Sequence, residues 1–190
     1  MRQPEHLSTR VGGGMMLSVT REERIGLFVD GISLHHAADV LQLRIDFKRL
    51  LALFRQRGRL VRAHYYTVSL QEADPNPQKP LLDWLTFNGF TVVTRKAMDS
   101  HESANALALA VNISVDAMQL AANLDRIVLV SQCRELQRLI DALKIMGRNV
   151  SVVSTLRNHM VADELRRQAD EFLDLDDLRP ILSADVSENA

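Results

Sequence analysis

Two short apolar runs, "RIGLFVD" at 24–30 and "DRIVLVS" at 125–131, constrain this chain more than any other feature. Each is almost unbroken in Ile, Leu, Val and Phe, and each stops at a polar residue. A strand that is half exposed alternates apolar with polar residues; a strand covered on both faces does not. Both runs therefore read as central strands of a parallel sheet sandwiched between helices.

The flanking patterns agree. Helical spacing appears in "SLHHAADVLQ" and in "DFKRLLALFRQRG", where Phe47, Leu50, Leu51 and Phe54 share a face and Gly58 marks the stop. "RLVRAHYYTV" is a strand, "SLQEADPNPQKP" a proline-rich loop, "LLDWLTFNGF" a short helix and "FTVVTRK" a strand. "MDSHESANA" reads as a polar loop before a long apolar helix that opens around Ala106–Ala110. The remainder alternates helix 134–147, strand "NVSVVST", helix "MVADELRRQAD" and strand "EFLDL". Strand–helix alternation throughout predicts one α/β domain, a mostly parallel sheet flanked by helices on both faces.

Ligands of such sheets sit outside the carboxyl ends of the strands. Here those ends are Asp30, Thr67, Arg95–Lys96, Ser131 and Ser154. The site is expected around Asp30 and Ser131, with Asp116 projecting from the long helix.

Composition narrows the function classes. A formal charge of −1 excludes a bulk polycation, so nucleic-acid binding would need a local basic face. The stretch 44–62, with Arg44, Lys48, Arg49, Arg55, Arg57, Arg59 and Arg62 against Asp46 alone, offers one, although a solvated helix face accounts for it as well. One cysteine permits no intrachain disulfide, which fits a reducing, cytoplasmic setting. No apolar run approaches the about 18–20 residues that span a bilayer, so no membrane partner is expected. Residues 1–23 are polar around a triple glycine and read as a flexible lead-in, with Met15 or Met16 as a later start; 24–178 form the domain and 179–190 a tail.

"LFVDGISL" resembles the opening motif of NYN domains, the LabA-like branch of the PIN-type nucleases. "PLLDWLTFNGFTVVTRKA", "SVDAM", "DRIVLVS" and "VADELRRQADEFLDL" follow in the same order as blocks of bacterial members of that family, so the resemblance runs from about Arg24 to Leu178. It implies a PIN-like, Rossmann-like fold with an acidic pocket that holds Mg²⁺ or Mn²⁺ and cleaves RNA. Hard divalent cations take oxygen ligands, and several carboxylates are needed to hold one against a phosphate.

This chain departs from that pattern. Asp30 and Asp116 stand at family acids and are the implied metal ligands. Ala110 stands six residues before Asp116, where the family has another acid, and "ALA" at 106–108 replaces its basic segment. The strand-end motif with two acids has become "SQCREL": Gln132 for glycine, Cys133 for the first acid, and Glu135, a longer carboxylate, for the second. Asp30, Asp116 and Glu135 are thus the remnant catalytic candidates. Ser33, which replaces the asparagine of the opening motif, joins Ser131, Arg95, Lys96 and Arg134 as candidate substrate contacts.

Each has a plainer explanation. Asp30 suits a helix N-cap, Glu135 a helix N-terminus, and Asp116 a solvent-facing position. Cys133 sits at a helix start, a position that can lower a thiol's pKa, but the histidines are scattered and no motif links one to it, so a catalytic thiol is not expected. Tyr65, Tyr66, Trp84 and Phe87 suit a core better than base stacking. The resulting expectation is a degenerate NYN protein with a binding or regulatory role, whose partner is RNA or another protein, including an intact family member. A weak Mg²⁺- or Mn²⁺-dependent ribonuclease using the remaining carboxylates is the alternative, and a homodimer through "LALAVNISV" the third.

Overall fold

The structure, a computed structural model, describes residues 22–69, 77–97 and 102–183. The flexible lead-in expected over 1–23 lies outside the described residues as far as residue 21, as does most of the proline-rich loop. Glu23 is tied down: it pairs with Arg126 at 2.9 Å and accepts from Asn149 at 2.9 Å.

Six strands form one parallel sheet. In chain order they are β1 (Arg24–Asp30), β2 (Arg59–Ser69), β3 (Thr91–Lys96), β4 (Arg126–Val130), β5 (Asn149–Ser154) and β6 (Glu171–Asp174). Their spatial order is β3-β2-β1-β4-β5-β6. The chain winds outward in one direction to β3, then crosses back to place β4 on the other side of β1. That reversal leaves a crevice between the carboxyl ends of β1 and β4, where right-handed crossovers turn to opposite faces.

Both faces are covered. Helices α1 (Gly31–Leu41), α2 (Phe47–Arg57) and α3 (Lys79–Phe87) pack on one side around Leu27, Val29 and Tyr65. Helices α4 (Glu102–Leu120), α5 (Gln137–Ile145) and α6 (Asp163–Gln168) cover the other, around Phe28, Tyr66 and Leu129. The adjacent side chains of β1 thus enter different cores, which is why its run is unbroken. At the opposite end of the sheet Arg24 grips Asp125 through two 2.9 Å guanidinium bonds, pinning β1 beside β4.

Four local expectations are corrected. Helix α4 opens at Glu102, so part of the supposed polar loop is helical; the Ala-rich sequence that follows sustains a longer helix than its apolar part alone suggests. The helix expected over 134–147 begins as a 3₁₀ turn, Arg134–Leu136, before α5. Residues 179–182, placed in the tail, form helix α7 (Arg179–Leu182), whose Leu182 is fully buried beside α2. Phe87 is 88% exposed, whereas Tyr65 and Tyr66 are core residues as expected.

The described residues also hold one segment, Ser103–Asn123, long and apolar enough to cross a membrane by length and composition, contrary to the impression from the sequence. Here it packs on β1 and β2, burying Leu109, Ile113 and Ala117.

Candidate functional site

The crevice between β1 and β4 is built around Asp30. Its side chain caps α1: Oδ1 accepts from the Ser33 N–H at 3.2 Å, and Oδ2 from the Ser33 hydroxyl at 2.6 Å. The Ser131 hydroxyl, from the end of β4, donates to the same Oδ2 at 3.0 Å. Ser131 Oγ in turn accepts from the Cys133 N–H at 3.1 Å. Gly31 makes this compactness possible, because a Cβ there would lie 2.7 Å from the Tyr65 hydroxyl and 2.8 Å from the Tyr66 carbonyl.

Asp30 is fully buried. Removal from water pushes its carboxyl above the usual range, and the two serines and nearby amides only partly counter that. This carboxylate is part of the framework, saturated by its own fold.

The network continues outward. The Cys133 thiol donates to Glu135 Oε2 at 3.1 Å. That bond is the main reason the Glu135 carboxyl lies below its ordinary range. The thiol goes the other way: burial first, then Glu135, push it up to about 12. A helix start can lower a thiol's pKa, but here the turn is short, and desolvation beside a carboxylate outweighs the amide dipoles.

Glu135, Cys133, Ser131, Asp30 and Ser33 thus form one continuous chain of hydrogen bonds. Asp116 is bonded elsewhere. It stands on α4, half-buried, where the Tyr66 hydroxyl donates to its Oδ2 at 2.9 Å. Asn112, one turn before Asp116 on the same helix, accepts from Arg95 at 3.3 Å. Arg95 and Lys96 lie on edge strand β3, two strands from Asp30.

Above the network lies a cleft of about 1010 Å³. Of the candidate residues, Ser33, Arg134 and Glu135 line it, joined by Gln132; Asp30, Ser131 and Asp116 do not. One wall is apolar, made by Ile32, Met160 and the start of α4 with Ala104, Ala106 and Leu107. His36, Asn158 and His159, which no motif singled out, complete the polar side. His36 Nδ1 is 3.2 Å from Gln132 Nε2, and Asn158 and His159 both hold φ 53, a left-handed backbone unusual outside glycine. Only a tolerance of Asn for that conformation was visible beforehand.

A divalent cation does not fit this donor set. Among the described residues no three His, Cys, Asp or Glu side chains gather as a ligand group. The implied pair, Asp30 and Asp116, is committed to separate protein donors. Ala110 and Cys133 supply no carboxylate, and Ala110 is packed in the apolar core beneath α4.

Residues 24–176 match the NYN domain family over most of the chain. The chain belongs to the NYN domain family. A curated NYN relative, the low amplitude and bright protein LabA of Synechococcus elongatus, is 31% identical over 170 residues, which cover 85% of this chain and 89% of LabA. Among solved structures, a protein of unknown function from Vibrio parahaemolyticus superposes with a TM-score of 0.71 at 22% identity, covering 85% of this chain and 98% of that one. That likeness shows the fold alone: a parallel sheet with flanking helices, as described above.

Proposed function

We propose that this NYN domain is an RNA-binding module that has given up metal-dependent cleavage. The observation that carries the reading is the state of Asp30: fully buried and held by Ser33 and Ser131, it serves the framework and not the cleft. What the cleft presents instead is Arg134, His36, His159, Gln132 and Asn158 facing an apolar wall. Cationic and amide groups suit phosphate and base edges, and the wall suits the faces of unstacked bases.

Fluorescence anisotropy with single-stranded RNA in EDTA tests it. Binding is expected to persist without divalent cations. Arg134→Ala should weaken it and flatten the dependence of log affinity on log salt by about 0.7, one phosphate contact on a single strand. Mn²⁺-dependent RNA cleavage abolished by Asp30→Asn would overturn the proposal.

One observation favours a second reading, a weak Mg²⁺- or Mn²⁺-dependent ribonuclease: Glu135 lines the cleft with its carboxyl held below the ordinary range. It requires Asp30 or Asp116 to exchange its present partner for the ion. Calorimetric Mn²⁺ binding that Asp116→Ala removes would support it; no heat at millimolar Mn²⁺ would end it.

A further inference from the structure

Helix α4 is apolar on both sides. Leu109, Ile113 and Ala117 are buried against the sheet, yet Leu107, Val111, Val115 and Met118 on the outer side are 49%, 52%, 50% and 40% exposed. Between residues 103 and 120 the only ionisable side chain is Asp116, and Tyr66 engages it. A helix that packs one face on a core normally turns charged residues to water. This one turns a row of branched and unbranched apolar side chains.

We propose that this outer row is a homodimer interface in which α4 packs antiparallel on the α4 of a second copy about a two-fold axis at Val111. The row itself argues for that occupant. Ala104, Leu107, Val111, Val115 and Met118 are spaced three, four, four and three residues apart, so the pattern reads identically in both directions. An axis at Val111 sets Leu107 against the partner's Val115 and small Ala104 against the partner's Met118. It also sets Ser103 against the partner's Gln119, polar with polar. A closed two-fold contact demands this self-complementarity. The row itself, from Ala104 to Met118, carries no charge to answer a charged partner. Ala104 in the row and Ala108 beside it let the helix axes approach to about 8 Å, the close end of helix packing.

The contact bears on the site. Ala104 and Leu107 belong both to the row and to the apolar wall of the cleft, so the partner's Val115 and Met118 come to rest at the cleft's rim. One helix pair buries less than the roughly 1,600 Å² of a standard interface, so a reversible rather than a permanent dimer is expected. The inference is argued from α4 alone, and the dimer leaves Ile32, Ala106 and Met160 as the apolar wall open to the cleft.

Sedimentation velocity of the full-length chain across the micromolar range is the test. A reversible monomer–dimer equilibrium is expected. Val111→Asp and Val111→Lys each bring like charges together on the axis and should each be monomeric with unchanged circular dichroism. Their equimolar mixture should recover the dimer, because the axis then pairs opposite charges. A wild-type monomer throughout overturns the proposal, as does a dimer that survives Val111→Asp. A mixture that stays monomeric removes the axis from Val111 and overturns it too. So does wild-type chain that floats with phosphatidylcholine vesicles through this face and forms no dimer.

Discussion

Asp30 and Ser131 are 101 residues apart in the chain, yet the Ser131 hydroxyl donates to the Asp30 carboxylate at 3.0 Å across the point where the sheet reverses its winding. The bond joins the ends of β1 and β4 and fills, with neutral donors, the crevice where a carboxylate-lined cation site would lie. Its two serines satisfy the acid without supplying charge.

Asp30→Asn separates a structural from a catalytic acid. Because burial raises the folded-state pKa of Asp30, its contribution to stability is full below the pKa of an unfolded aspartate and is lost as pH rises through the folded value. At neutral pH the amide removes that burden while the serine hydroxyls reorient to it, so stability should change by no more than about 1 kcal/mol in either direction. Below pH about 4, the ordinary aspartate value, the wild type should gain relative to the variant. Urea unfolding over a pH series measures this; a loss of several kcal/mol at pH 7 would contradict it.

Restoring acids at the two altered positions should restore a cation response. Ala110 is 3% exposed among apolar neighbours, so Ala110→Asp alone should destabilise by about 3 kcal/mol, the cost of an unpaired buried polar group. In Ala110→Asp/Cys133→Asp, saturating Mn²⁺ should raise the melting temperature by about 5 °C, equivalent to roughly 2 kcal/mol of binding linkage in a domain this size. Thermal shift with and without Mn²⁺ decides, with the wild type expected to move little.

Cys133 should be a sluggish thiol. With its pKa pushed up to about 12, alkylation by iodoacetamide at pH 8 should run at least about 100-fold slower in the native protein than in urea, where the thiol titrates normally. Cleft access alone would not produce a rate that still climbs with pH above 10, so the pH profile distinguishes a raised pKa from simple shielding.

The C-terminal helix should matter to stability. Leu182 is fully buried, and the Asp46 N–H donates to its carbonyl at 2.9 Å. Leu182→Ala should cost about 2–4 kcal/mol, the usual range for a buried leucine. A change under 0.5 kcal/mol in denaturant unfolding would return these residues to the status of a tail.

Much of this molecule was legible from short-range pattern. The unbroken runs of β1 and β4 announced a covered parallel sheet, and their polar ends, Asp30 and Ser131, located the crevice. The cap at Asp30, the core placement of Tyr65 and Tyr66, and the family all followed from residues near one another in the chain. Periodicity and capping are properties of a few successive residues, so one sequence displays them.

What the tertiary structure decided involves residues that the chain does not place together. Sequence placed Cys133 at a helix start, where a thiol can become acidic; burial and the carboxylate of Glu135 make it the reverse. Asp30 and Asp116 looked like one ligand pair until Ser131 claimed the first and Tyr66 the second. His36 and His159 are far apart in the chain, and the crossovers bring α1 and the turn after β5 to the same cleft. Desolvation and long-range hydrogen bonding depend on which groups share a volume, and only the folded sheet, by reversing its winding between β1 and β4, determines that.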